Sequence, residues 1–123
     1  MAKCDLSIEL FEPDRLYASG QPIRGRVHVR ADAEITCKSL NLQPVWRTHG
    51  KGNSQSEKGL QQSLFQGQWQ ANQTYQYDFE TTPLTGPSTY HGHDLNVDHY
   101  ITARADIPWA FDAKAETPFR YRA

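Results

Sequence analysis

Between Val97 and Asp106 the chain repeats with a period of two. Val97, His99, Ile101, Ala103 and Ala105 alternate with Asp98, Tyr100, Thr102, Arg104 and Asp106. Such a pattern suits a strand that buries one face and shows the other to water. Pro108 cannot donate to a sheet ladder, so pairing should stop just before it. The same alternation recurs at Cys4, Leu6, Ile8 and Leu10, at Ile23, Gly25, Val27 and Val29, and at Tyr75, Tyr77 and Phe79. No stretch of three helical turns carries a convincing apolar stripe, and no internal repeat is visible. Short alternating strands divided by turns predict an all-β, immunoglobulin-like sandwich of about seven or eight antiparallel strands.

The turn signals fall between these runs. Glu12-Pro13-Asp14 breaks the first strand, Ser19-Gly20-Gln21-Pro22 precedes the second, and Asn72 introduces the tyrosine-rich one. Ile35 to Trp46 reads as one long strand or two with a bulge, because the apolar parity shifts between Ile35/Cys37 and Leu40/Leu42. Pro44 argues for an edge or a bulge near its end. Thr48 to Lys58, rich in Gly, Ser and Lys, is expected to be the most mobile loop. Leu60 to Trp69 is a polar strand with a weak pattern. Pro87 and Gly92 mark a loop that leads into the Val97 strand. Ala113 to Glu116 reads as a polar turn, and Pro118 to Arg122 as a short final strand.

A chain of 123 residues supports one domain, 1–123, with a single modest core. Its formal net charge of -1 offers no global attraction to nucleic acid or to an anionic membrane. No apolar run reaches the length of a membrane span, so direct membrane insertion is not expected. The segment MAKCDLSIEL lacks a signal-peptide core. These features imply a cytoplasmic protein. In a reducing compartment Cys4 and Cys37 are expected to be two buried thiols rather than a disulfide. Asn72-Gln73-Thr74 fits a glycosylation sequon and, without a secretory signal, reads as chance.

Two segments resemble a known family. Pro87-Ser88-Thr89-Tyr90-His91-Gly92 is followed by Tyr100-Ile101-Thr102-Ala103-Arg104-Ala105-Asp106-Ile107-Pro108-Trp109. This is similar to the N-terminal domain of the arrestin superfamily, which includes arrestins, arrestin-domain trafficking adaptors and retromer Vps26-like subunits. The family's apolar strand positions fall on Ile101, Ala103 and Ala105, and its Asp-x-Pro-Trp on Asp106 to Trp109. The Ile23-x-Gly25-x-Val27 strand and the run from Trp69 to Tyr75, Tyr77 and Phe79 also resemble the family. Trp46-Arg47-Thr48 before Gly50-Lys51-Gly52 is similar to its single-domain bacterial relatives. The resemblance implies a sandwich of the arrestin N-domain type. Arrestins pair two such sandwiches, so a homodimer or a partner subunit is the implied source of the second half. A hydrophobic share of 37% is low for a large obligate interface.

Candidate sites follow from the alternation. Arg24, Arg26, His28 and Arg30 fall on one face of their strand at intervals of about 7 Å. Arg104 would extend this stripe if it shared the sheet. Arginine forks match carboxylate and phosphate geometry, so the stripe could dock an acidic peptide. A solvated face paired with Asp and Glu across the sheet is the bland alternative. His91, His93 and Asp94, with Asp98 and His99, form the one cluster with metal-ligand chemistry, although parity turns His99 inward. Exposed aromatics would permit sugar stacking, but most of them sit at inward positions. Gly50-Lys51-Gly52-Asn53-Ser54 lacks the spacing and helix of a phosphate loop and reads as a hairpin. No nucleophile–base pair stands in recognisable context. The expectation is a non-enzymatic interaction or scaffold module without a cofactor. It would dock a protein partner, acidic or membrane-associated, on an exposed sheet face or edge. A metal- or carbohydrate-binding sandwich is the alternative.

Overall fold

The computed structural model describes residues 3–50, 54–108 and 112–123. Among these described residues ten strands follow in order: β1 (Cys4–Leu10), β2 (Leu16–Ala18), β3 (Ile23–Ala31), β4 (Ile35–Gly50), β5 (Ser56–Lys58), β6 (Gln62–Trp69), β7 (Gln73–Thr81), β8 (Tyr90–His91), β9 (Leu95–Asp106) and β10 (Ala113–Arg122). Among the described residues no helix is long and apolar enough to cross a membrane.

Two sheets share the strands. One is β1-β3-β7, antiparallel throughout, and the other runs β2-β10-β9-β4-β5, with β6 also on β4 and β8 also on β9. Between them lies a core that includes Ile23, Val27, Val29, Leu40, Leu42, Trp69, Ile101, Ala103, Ala105, Phe119 and Tyr121. Burial alternates along β3 and β9 as the sequence predicts, because each has neighbours on both sides and one face against the opposite sheet.

Seven strands are seven residues or longer, in line with the expected number; β2, β5 and β8 have two or three residues, too few to display a period. One pairing departs from the antiparallel expectation, since β2 runs parallel to β10. Thr48 to Lys58 is not one long loop: β4 continues to Gly50 and pairs with β5 from Val45↔Lys58 to Arg47↔Ser56. β4 and β5 thus pair antiparallel, and Lys51, Gly52 and Asn53 of the glycine-lysine segment lie outside the described residues. Ala113 to Glu116 is strand rather than turn. Ala113 and Ala115 lie opposite Ala105 and Ala103, and low alanine β-propensity hides small residues that fit a close pairing. Trp109, the end of the family-like motif, also lies outside the described residues.

Pro44 sits inside a central strand, not at an edge. Its carbonyl accepts from Gly59 N–H at 2.8 Å, where β6 has ended and β5 begins. In an antiparallel strand the nitrogen points to the same side as the carbonyl, so the missing donor costs β4 no bond to β9. The predicted parity shift appears as a register break against β6 between Cys37 and Leu40. Opposite Cys37 stands Gly67 at φ 152°, a conformation that favours glycine. At the next corner Asn72 takes φ 60° and carries the chain from one sheet into the other.

Candidate functional site

The arginine stripe exists, and carboxylates from both flanking strands meet it. On β3, Arg24 Nε donates to Glu80 at 2.6 Å and Arg26 Nε to Asp78 at 2.7 Å, both on β7. His28 Nε2 lies 2.8 Å from Glu9 on β1. Arg26 also rests 5.4 Å from the centre of the Phe11 ring. Among the described residues only Arg30 of the four lacks a carboxylate within 4.0 Å. Arg104 does not extend the stripe: it lies on β9 in the other sheet, bound through Nε and Nη2 to Asp112. That contact holds the Asp112 carboxyl below its ordinary range, with Lys114 adding to the field.

The histidine cluster is divided among three places. His91 belongs to β8 rather than to a loop, and its Nε2 lies 2.6 Å from Asp98. His93 is 95% exposed and 4.0 Å from its neighbour Asp94. His99 is buried on the opposite face of β9, as parity predicts. Among the described residues no group of three or more His, Cys, Asp or Glu side chains could hold a metal ion. Cys4 and Cys37 are free thiols, both pushed up to about 11, chiefly by burial. The aromatics mostly serve the core: Trp69, Tyr17 and Tyr121 are buried, whereas Tyr90 and Phe11 are exposed.

His99 clasps the segment before β8. Its Nε2 lies 2.7 Å from the Pro87 carbonyl, and the ring packs at 4.5 Å on Tyr121 and 5.6 Å on Phe119. Among the described residues its buried Nδ1 has no hydrogen-bond partner. Burial therefore lowers the pKa, opposed by the Pro87 contact and by Asp98. The unfolded chain then binds more protons below about pH 6.5, so stability should fall as pH drops through that value toward the lower folded pKa. Urea unfolding from pH 7.5 to 5 should show this loss. In His99→Phe the limiting slope should shrink by up to about 1.4 kcal/mol per pH unit. Equal slopes in the two proteins would mean that His99 titrates freely.

A different face carries the concave surface. The outer side of the β5-β4-β9-β10 sheet holds a groove of about 410 Å³, lined by backbone and side chains that include Asn41, Gln43, Arg47, Lys58, Arg104 and Lys114. Register, not sequence proximity, assembles it. Asn41, Arg104 and Lys114 form one cross-strand row, Gln43, Thr102 and Glu116 the next, and Lys58, Val45, Tyr100 and Pro118 a third. Arg47 reaches across Tyr100, 5.0 Å from the ring centre, and bonds both oxygens of Glu116 at 3.0 and 2.9 Å. Arg47 and Arg104 are thus occupied by Glu116 and Asp112. Among the described residues Lys58 and Lys114 have no carboxylate within 4.0 Å. Local pattern could not reveal this surface, because its cations come from four different strands.

The two sheets and their topology define an arrestin-like β-sandwich. The crystal structure of Spo0M, a sporulation control protein from Bacillus subtilis, has this fold: it matches with a TM-score of 0.77 at 19% identity over 98% of the chain. The present chain spans 49% of that protein's length. No family model matches the sequence, and no curated protein matches it.

Proposed function

We propose that this chain is a non-enzymatic interaction module, a single domain of the arrestin N-terminal type, which docks an acidic segment of a protein partner on an exposed sheet face. The observation that carries this reading is the groove on the outer face of the larger sheet. It gathers four cations while its carboxylate, Glu116, is taken up by Arg47. The Arg24–Arg30 stripe is the weaker candidate, since most of its charge is neutralised at short range by Glu80, Asp78 and Glu9. Asn41, Gln43 and Gln61 offer amide donors and acceptors to a bound main chain. The partner is a cytoplasmic or membrane-associated protein with an acidic extended segment.

A fluorescent peptide of alternating Glu and Gly tests the reading by anisotropy at low and physiological salt. Saturable binding that weakens with salt is expected. Lys58→Glu/Lys114→Glu should weaken it by about tenfold or more, and Arg24→Glu/Arg26→Glu/Arg30→Glu by less than about threefold. No saturable binding at low salt, or loss only in the Arg24/Arg26/Arg30 variant, would overturn the groove as the docking face.

A further inference from the structure

The two lysines without carboxylate partners stand at opposite corners of the groove, and their separation follows from strand register. Lys58 lies in the row of Val45, Tyr100 and Pro118, whereas Lys114 lies in the row of Arg104 and Asn41. From β5 to β10 there are three strand steps, through β4 and β9. At about 4.8 Å each these span about 14 Å. Between the rows, Val45 and Asn41 are four residues apart on β4, which adds about 13 Å along the strands. The diagonal between the two backbone positions is therefore about 20 Å.

An extended peptide rises by about 3.3 Å per residue, so about six residues cover that diagonal. Six is an even step, and alternate side chains of an extended segment share a face. Resting on the docking reading above, we infer that the groove selects an extended segment with two acidic side chains at positions i and i+6, one for Lys58 and one for Lys114. Charge complementarity supports this occupant. The Arg47 and Arg104 forks are engaged by Glu116 and Asp112, so the cations free to receive new carboxylates are the two lysines. Between them the floor contains Gln43 and Thr102, whose hydroxyl donates to the Gln43 carbonyl at 3.2 Å. The Gln43 side-chain amide remains available to a peptide backbone.

Nine-residue peptides of Gly and Ser with two glutamates, at i,i+2 or at i,i+6, separate this inference from the reading beneath it. Both peptides carry the same charge on the same face and differ only in span. The i,i+6 peptide should bind about threefold to fivefold more tightly, the gain from one additional exposed ion pair. Lys58→Glu/Lys114→Glu should remove the preference, and a peptide with lysines at i and i+6 should restore binding to that variant. Restoration also shows that the variant is folded. Equal affinity for the two glutamate spacings overturns the inference while leaving acidic docking intact. Displacement of both peptides by millimolar inorganic phosphate overturns it in favour of a small-anion site. Self-association lost only in the lysine variant overturns it in favour of a second copy as occupant. If neither these peptides nor the alternating Glu-Gly probe binds, the docking reading falls with it.

Discussion

Replacing Trp69 by alanine is expected to destabilise the domain by about 3–5 kcal/mol, because among the described residues it is the largest fully buried side chain. Trp69 ends β6 with no exposed surface. Its ring stacks on Phe65 at 5.6 Å, and its Nε1 donates to the Tyr77 hydroxyl at 2.8 Å. The residue also sits where the chain leaves the larger sheet for the smaller one, a corner closed by Gln70 N–H donating to the Tyr75 hydroxyl at 2.7 Å. Removing the indole opens a cavity between the sheets that neither rigid neighbour can fill. Trp69→Phe keeps part of the packing and loses the hydrogen bond, so its cost should lie well below that of alanine. Urea denaturation of both variants provides the check. A loss below about 1 kcal/mol in Trp69→Ala would contradict the packing described.

The second large effect is expected at Gly25, where even a methyl group should be harmful. A Cβ there would lie 2.3 Å from the Glu9 carbonyl oxygen and 2.7 Å from the Phe79 ring. Glycine to alanine in a compatible conformation usually stabilises by about 0.4–1 kcal/mol, because it restricts the unfolded chain. Here the sign should reverse, with a loss of about 1–3 kcal/mol from overpacking. The obstruction includes the backbone of β1 and a buried ring of β7, so relief would require β3 to shift against both neighbours. Thermal unfolding of Gly25→Ala should therefore show a lowered midpoint. A raised midpoint would mean that the three strands are spaced more loosely than described.

These two residues also show what could be read in the sequence. Gly25 belongs to the Ile23, Val27, Val29 alternation, which is visible because β3 has β1 and β7 beside it and a core face beneath. The same holds for β9, and so the all-β sandwich was legible. Strands of two or three residues carry no period, which hid β2, β5 and β8. Alternation is also silent about which sheet a strand joins, and so it cannot show that Arg104 and the Arg24–Arg30 stripe lie on different sheets.

The candidate site was less legible for a related reason. Arg24, Arg26, His28 and Arg30 form a local pattern, but Glu80, Asp78 and Glu9, which neutralise most of it, come from flanking strands. Arg47, Lys58, Arg104 and Lys114 show no local pattern at all. They become neighbours only through the pairing of β5, β4, β9 and β10. The grouping of charges on this sandwich is a property of register, and register is fixed by long-range contacts rather than by sequence spacing.

As proposed above, the outer face of the larger sheet is the docking surface. The most direct test of this claim is to titrate the isotopically labelled domain with the alternating Glu-Gly peptide and follow the backbone amides by NMR. Saturable shifts should concentrate at Asn41, Gln43, Lys58, Thr102, Arg104 and Lys114, with the amides of Arg24 to Arg30 nearly still. Shifts centred on the β3 stripe, or shifts that never saturate, would contradict the claim.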